Sequence, residues 1–131
     1  MNKVILDSSA LIALIKNEKG ADIVEPLLGK VVMSTLNISE AAGILIDLGM
    51  THEECKSSIE PYIDLIVPVD MEQSFEMAFL KKLTKHKGVS IGDRACIALG
   101  IKMALPIYTA DKIWGNLGLE GAEIILIRSL L

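Results

Sequence analysis

Apolar residues fall along this chain in two textures. A short apolar run at residues 3–6 is of the kind that makes a buried parallel strand, residues 107–109 read as another buried strand, and residues 31–33, 64–69 and 123–127 read as further strands. Between them lie longer stretches with helical spacing. Residues 8–15 start a helix directly after the first run, and residues 21–28 form a second, short one. Apolar positions 38, 41, 44, 45 and 48 predict a third helix. A fourth opens at Thr51 and carries Cys55, Ile59 and Tyr62, with a disturbance at Pro61. Residues 70–86 predict the longest helix, with Met71, Phe75, Ala78, Phe79 and Leu83 as its buried stripe. Ile91, Ala95, Ala98, Leu99 and Met103 bury one face of the next helix, and a short helical turn follows at 112–117.

The punctuation agrees with this order. Thr51 with Glu54, Ser90 with Asp93 and Asn37 with Glu40 have the three-residue offset of a capping box. Asp7 and Asp111 stand where an N-cap is expected. Gly29 and Gly49 close helices. Pro68 cannot donate to a ladder, so the third strand belongs at a sheet edge, and Pro106 is tolerated at the start of the fourth. No repeat, linker or low-complexity tract divides residues 1–131, which read as a single domain.

Composition narrows the class. Hydrophobic residues make up 51% and aromatics only 4%, so the core is aliphatic. No uncharged run is long enough to span a bilayer, and Asp7 ends the first apolar run too early for a signal peptide. Cys55 and Cys96 lack metal or redox spacing, and a reducing cytoplasm is the expected compartment. The net charge of -4 at first argues against a nucleic-acid partner. Setting four acids aside as metal ligands leaves 13 of the 17, against 13 Lys plus Arg, and the objection disappears.

Those four are Asp7, Glu40, Asp93 and Asp111. Each has an ordinary capping explanation, but all fall where a strand gives way to a helix or at a helix start facing that edge. A helix running antiparallel to its following strand sets its own start beside that strand's end, which brings Asp93 to Asp111. Open α/β sheets place ligands along this carboxyl edge. Gathered carboxylates repel and raise one another's pKa values unless a cation intervenes. With only carboxylates and waters on offer, the expected ion is Mg²⁺ or Mn²⁺, and its chemistry is phosphoryl transfer. No Gly-rich phosphate loop follows the first strand, and no Gly-x-Ser-x-Gly elbow is present. Lys81, Lys82, Lys85 and Lys87, with His86, form a basic cluster that is either a solvated helix end or a phosphate-contacting patch.

Four segments together resemble the PIN-domain ribonucleases, and among them the VapC-type toxins of prokaryotic toxin–antitoxin pairs. They are Val4-Ile5-Leu6-Asp7-Ser8-Ser9-Ala10-Leu11, Ile38-Ser39-Glu40-Ala41, Ser90-Ile91-Gly92-Asp93-Arg94-Ala95-Cys96, and Tyr108-Thr109-Ala110-Asp111-Lys112-Ile113-Trp114. The resemblance implies an α/β/α sandwich with a central parallel sheet of strand order 3-2-1-4-5. It implies metal-dependent RNA cleavage, with Asp7 and Asp93 holding the main ion and Glu40 and Asp111 more peripheral. Ser9 and Thr109 become hydroxyls that hold carboxylates in place. Arg94, Lys81, Lys82, Lys85, Lys87 and Lys112 become candidate RNA contacts, although Arg94 also reads as a salt-bridge residue with no role in RNA binding. A homodimer and a small antitoxin partner are implied as well. The chain offers Asn116 where some relatives carry a further acid, which leaves a second metal ion open. Two rival functions stand beside this one: a PIN-fold module that binds RNA or protein without cutting, and an aspartyl-phosphate protein. The second lacks the needed acid beside Asp7, where Ser8 and Ser9 follow instead.

Overall fold

The computed structural model describes residues 2–85 and 87–128. Five short strands form one parallel sheet in the order β3-β2-β1-β4-β5, with β1 at Val4–Leu6, β2 at Val31–Ser34, β3 at Leu65–Val67, β4 at Ile107–Thr109 and β5 at Ile124–Leu126. The order is the expected one. β3 lies at the edge, although its ladder ends at Val67 and Pro68 falls just outside it. The central strands β1 and β2 are buried along their whole length, which is why they read as unbroken apolar runs.

The strand period of two sorts the core into layers. Ile5, Val32 and Ile107 face one side of the sheet, with Met77, Leu80, Ile97 and Trp114. Leu6, Val31 and Met33 face the other, with Leu11, Leu45 and Ile59. The second side is covered by α1 (Ser8–Ile15), α2 (Ala21–Val24), α3 (Thr35–Asp47) and α4 (His52–Ile59), and the first by α5 (Met71–Leu83) and α6 (Ile91–Met103). Pro26 and Pro61 each begin a tight 3₁₀ turn, Glu25–Leu27 and Glu60–Tyr62, so the α-helical part of both segments is shorter than predicted. Lys112–Asn116 is a 3₁₀ turn too.

Several expectations need correction. The stripe Met71, Phe75, Phe79 and Leu83 of α5 faces outward, at 75, 69, 58 and 49% exposure, and Ala78 is exposed with it. The buried face is Gln73, Met77, Leu80 and Thr84. Two faces compete on this helix. Met77 and Leu80 fit against the small Ala95 and Ala98 of α6, and that fit outweighs the greater hydrophobicity of the other stripe. Ile91 is exposed on α6, Ile44 is exposed on α3 and Leu48 at its C-cap; α3 meets the core through the buried Ala41 and Leu45, with Ile38 and Ala42 packed beside them. α3 begins earlier than predicted, capped by Ser34, so Glu40 lies in its second turn and Asn37 is not its cap. α5 ends at Leu83, and His86, where it was expected to finish, lies outside the described residues.

α6 lies close on the sheet because Gly100 has no side chain: a Cβ there would run into the Ile107 side chain of β4. Gly100→Val therefore destabilises the fold by about 2 kcal/mol through overpacking. Urea unfolding measures it, and an unchanged midpoint would show that α6 can lift off the sheet without cost.

Candidate active site

Asp7 ends β1 and caps α1, so one residue closes a strand, opens a helix and reaches the carboxyl edge of the sheet. It is 3% exposed. Its Oδ1 accepts from the Ser9 hydroxyl at 2.7 Å and from the Ala10 N–H at 3.0 Å, while Oδ2 accepts from the Thr109 hydroxyl at 2.9 Å. The same two hydroxyl oxygens accept from the next loop. Ser9 Oγ takes the Ala110 N–H at 2.9 Å, and Thr109 Oγ1 takes the Asp111 N–H at 3.0 Å. A chain of bonds thus runs from Asp7 to the segment that carries Asp111.

Glu40 is positioned from the other side. The buried Asn37 amide donates to Glu40 Oε1 and to the Gly92 carbonyl, both at 2.9 Å, and so joins α3 to the first turn of α6. The Ser8 hydroxyl reaches Glu40 Oε1 at a long 3.4 Å. Gly92 makes this approach possible, because a Cβ there would overlap the Glu40 carboxylate. Asp93, the next residue, completes the predicted capping box: its Oδ2 accepts from the Ser90 N–H at 2.9 Å, and its own N–H donates to the Ser90 hydroxyl at 3.1 Å. Asp111 Oδ1 caps the following turn through the Ile113 N–H at 3.0 Å.

The electrostatics tie these acids together. Burial pushes the Asp7 carboxyl up to about 6, against the three hydrogen bonds that favour its charge, and the nearby Asp93 charge pushes the same way. Burial also raises Asp93; its Ser90 bonds oppose this, the Asp111 charge adds to it and Arg94 counters it. The Cys96 thiol is held far above its usual range by burial first, then by the charges of Asp7, Asp93 and Glu40. Desolvation, rather than the mutual repulsion expected from the sequence, is therefore the largest effect. All four acids lie within electrostatic reach of one another or of a common neighbour, and their oxygens suit a hard divalent cation. Among the described residues, however, no three acidic, His or Cys side chains stand close enough as they are to enclose one ion. Asp93, Asp111 and Glu40 each also have one oxygen engaged by a neighbouring donor, the first two in helix caps and Glu40 by the Asn37 amide. An ion between them would draw together like charges that now stay apart.

Of the predicted basic residues, Lys81 and Arg94 line one pocket beside this rim. Lys82 ends α5 with Lys81, Lys85 and Lys87 follow in the loop to α6, and Lys112 adjoins Asp111; all these lysines are exposed. Sequence reasoning missed Asn37 and Gly92 as positioning residues. The available signals were a buried-type amide inside a helix and a glycine in a helical first turn, both against local propensity.

The family model described as PIN domain matches residues 4–118. No curated protein matches the chain. Among solved structures, the chain is similar to a Mycobacterium tuberculosis member of the VapBC family of toxin–antitoxin systems, VapBC-5, with TM-score 0.67, 22% identity, and coverage of 96% of this chain and 99% of that one. A toxin–antitoxin complex from Klebsiella pneumoniae matches with TM-score 0.75 and 15% identity, covering 98% of this chain and 100% of the other. The sarcin–ricin-loop-cleaving toxin VapC20 of Mycobacterium tuberculosis matches with TM-score 0.73 and 14% identity, covering 92% and 99%.

Because the folded Asp7 carboxyl titrates near 6, above the unfolded range, the native state holds an extra proton between the two values. That stability is fully present below the unfolded pKa and is lost as pH rises through about 6. In EDTA, unfolding free energy is expected to fall by about 2 kcal/mol between pH 4 and pH 7.5 from this group. Asp7→Asn should remove that component and be the more stable protein at pH 7.5. A wild-type profile parallel to that of the variant would rule out the buried charge.

Proposed function

The chain belongs to the PIN-domain family, and on that premise we propose that it is a Mg²⁺- or Mn²⁺-dependent endoribonuclease, the toxin of a toxin–antitoxin pair, acting as one PIN domain over residues 1–131. The observation that carries this reading is the Asp7 carboxylate: buried, held by three hydrogen bonds and neighboured by the Asp93 charge at the carboxyl edge of the sheet. Proteins bury such a charge rarely, and a divalent ion stabilises it.

Asp7 and Asp93 would hold the main ion, with Glu40 and Asp111 completing the set at its periphery or through water. When bound, the ion supplies a Lewis acid for the phosphoryl oxygens and lowers the pKa of an attacking water. The chain's own residues do the positioning. Ser9 and Thr109 fix both oxygens of Asp7 and thereby its plane. Asn37 holds Glu40 against the start of α6. Arg94, Lys81, Lys82, Lys85, Lys87 and Lys112 are proposed to meet RNA phosphates, which carry the electrostatic part of nucleic-acid affinity. The sarcin–ricin loop cut by one structural neighbour supports RNA as the substrate class.

Neighbours that are toxin–antitoxin complexes support a cognate antitoxin as partner. The outward stripe of α5 supports association with a second copy of the chain, since exposed apolar rows of this kind mark interaction surfaces. No helix among the described residues is long and apolar enough to cross a membrane.

Cleavage of cellular RNA with added Mn²⁺, together with Mn²⁺ calorimetry, tests the proposal. The wild type should take up Mn²⁺ and cut, and Asp93→Asn should slow cutting by about 100-fold or more, exceeding the usual loss for an outer-shell residue. Ser9→Ala should lose about 10-fold. Full activity in Asp93→Asn, or an RNA-binding wild type that takes up no Mn²⁺, would leave the non-cutting module as the better account. Separately, Phe75→Glu combined with Phe79→Glu should convert a sedimenting dimer to a folded monomer. A dimer that survives both changes assigns another face.

A further inference from the structure

Beside the acidic rim lies a pocket of about 480 Å³ between α3, α5 and the start of α6. Its size is in the range of small-ligand sites. It differs in character from the carboxylate rim. Arg94 and Lys81 bring two positive charges, Ser39 and Ser74 bring hydroxyls, and Leu36 and Ile91 form part of an apolar wall. Arg94 is held at the pocket through a 3.2 Å bond from Nη1 to the Val89 carbonyl. Its Nε is buried with no acceptor among the described residues, so the protein itself leaves this guanidinium under-satisfied.

The position is as informative as the composition. Arg94 directly follows Asp93, and Ser39 directly precedes Glu40. Glu40 lies against Gly92, so the two helix segments that carry Arg94 and Ser39 also carry two of the four acids, while Lys81 and Ser74 reach the pocket from α5. A group bound here is one residue away from the rim on two elements at once. Cations with hydroxyls suit a phosphate, and an apolar wall beside them suits a ribose or base. That combination, next to a site reading as phosphodiester-cleaving, matches one unit of the same polymer.

We propose that this pocket is a nucleotide subsite: it holds the RNA nucleotide adjacent to the scissile phosphodiester, with Arg94 and Lys81 on its phosphate and the Leu36 and Ile91 wall against its nucleoside. The inference rests on the RNA-cleaving reading of the acidic rim. It adds that substrate is gripped on α5 and α6 as well as by the ion, and that the exposed Ile91 serves contact rather than core, beside a half-buried Leu36 that packs on the core and turns its open side to the pocket.

The test uses a fluorescein-labelled pool of single-stranded RNA octamers in EDTA, where binding is read by anisotropy without cutting. Ser74→Trp fills the pocket from α5, away from all four acids, and should weaken binding about 10-fold, the loss of one stacked or seated nucleotide. Lys81→Ala, at an exposed position, should weaken binding several-fold and reduce the salt slope by about one phosphate contact. Mn²⁺ uptake, measured by calorimetry, should be unchanged in both variants. If Ser74→Trp and Lys81→Ala bind the octamers as tightly as wild type, or if wild type does not bind them, the subsite is overturned. If instead wild type takes up no Mn²⁺ and cuts no RNA, the acidic-rim reading fails and the subsite falls with it. Should Ser74→Trp not fold, Lys81→Ala decides alone.

Discussion

A single carboxylate, buried where the central strand meets its helix, is the constraint around which the site is organised. Removing Asp7 from water is costly, and three donors offset only part of that cost, as its raised pKa records. The compensation has a structural consequence. Each hydroxyl carries one proton. With Asp7 ionised, Ser9 and Thr109 both donate to it, and their 3.3 Å contact with each other has no proton left to share. With Asp7 protonated on Oδ2, that carboxyl becomes the donor to Thr109, whose hydroxyl is then free to turn to Ser9. The charge state of one acid thus sets the hydrogen-bond direction along the line that leads to Ala110 and Asp111.

Topology does the rest of the gathering. In an all-parallel sheet every strand ends on one edge, so residues after β1, β2 and β4 share a rim whatever their separation in sequence. Asp93 joins them by the reverse route, from a helix that begins at that edge and runs back across the sheet into β4. Two glycines keep this helix close. Gly100 lets its far end rest on Ile107, and Gly92 lets its near end accept Glu40. A bulkier residue at either point would change the separation between Asp93 and the sheet, and with it the burial that raises Asp93 and the smaller push that its charge gives Asp7.

Much of this was legible in the residues alone. Unbroken apolar runs marked the buried strands, Pro68 marked the edge, and the Ser90–Asp93 and Thr51–Glu54 caps formed as predicted. The failures share a cause. Hydropathy ranks the stripes of a helix but does not say which stripe finds a matching surface, and on α5 the less oily face met the small residues of α6. Asn37 and Glu40 have the spacing of a cap, yet Ser34 captured the helix start one turn earlier and freed the pair for a long-range bond to Gly92. Spacing rules see partners within a turn; Gly92 is 55 residues from Asn37.

Net charge is a poor guide to partner for the same reason. The chain is acidic overall, but its acids and bases are not mixed evenly. Asp7 is buried and Asp93 half-buried at the rim, while Lys81 and Arg94 border the adjoining pocket. Arg94 touches both regimes: it lowers Asp93 while carrying a donor that the protein leaves unmatched. A polyanion approaching such a surface meets repulsion from the bare acids and attraction from the cations within a few residues of each other. Neutralising the rim with a divalent ion removes the first without weakening the second. On the proposed function, metal uptake and RNA affinity would therefore be coupled through Arg94 and Asp93, neighbours on one helical turn, more than through the overall charge of the protein.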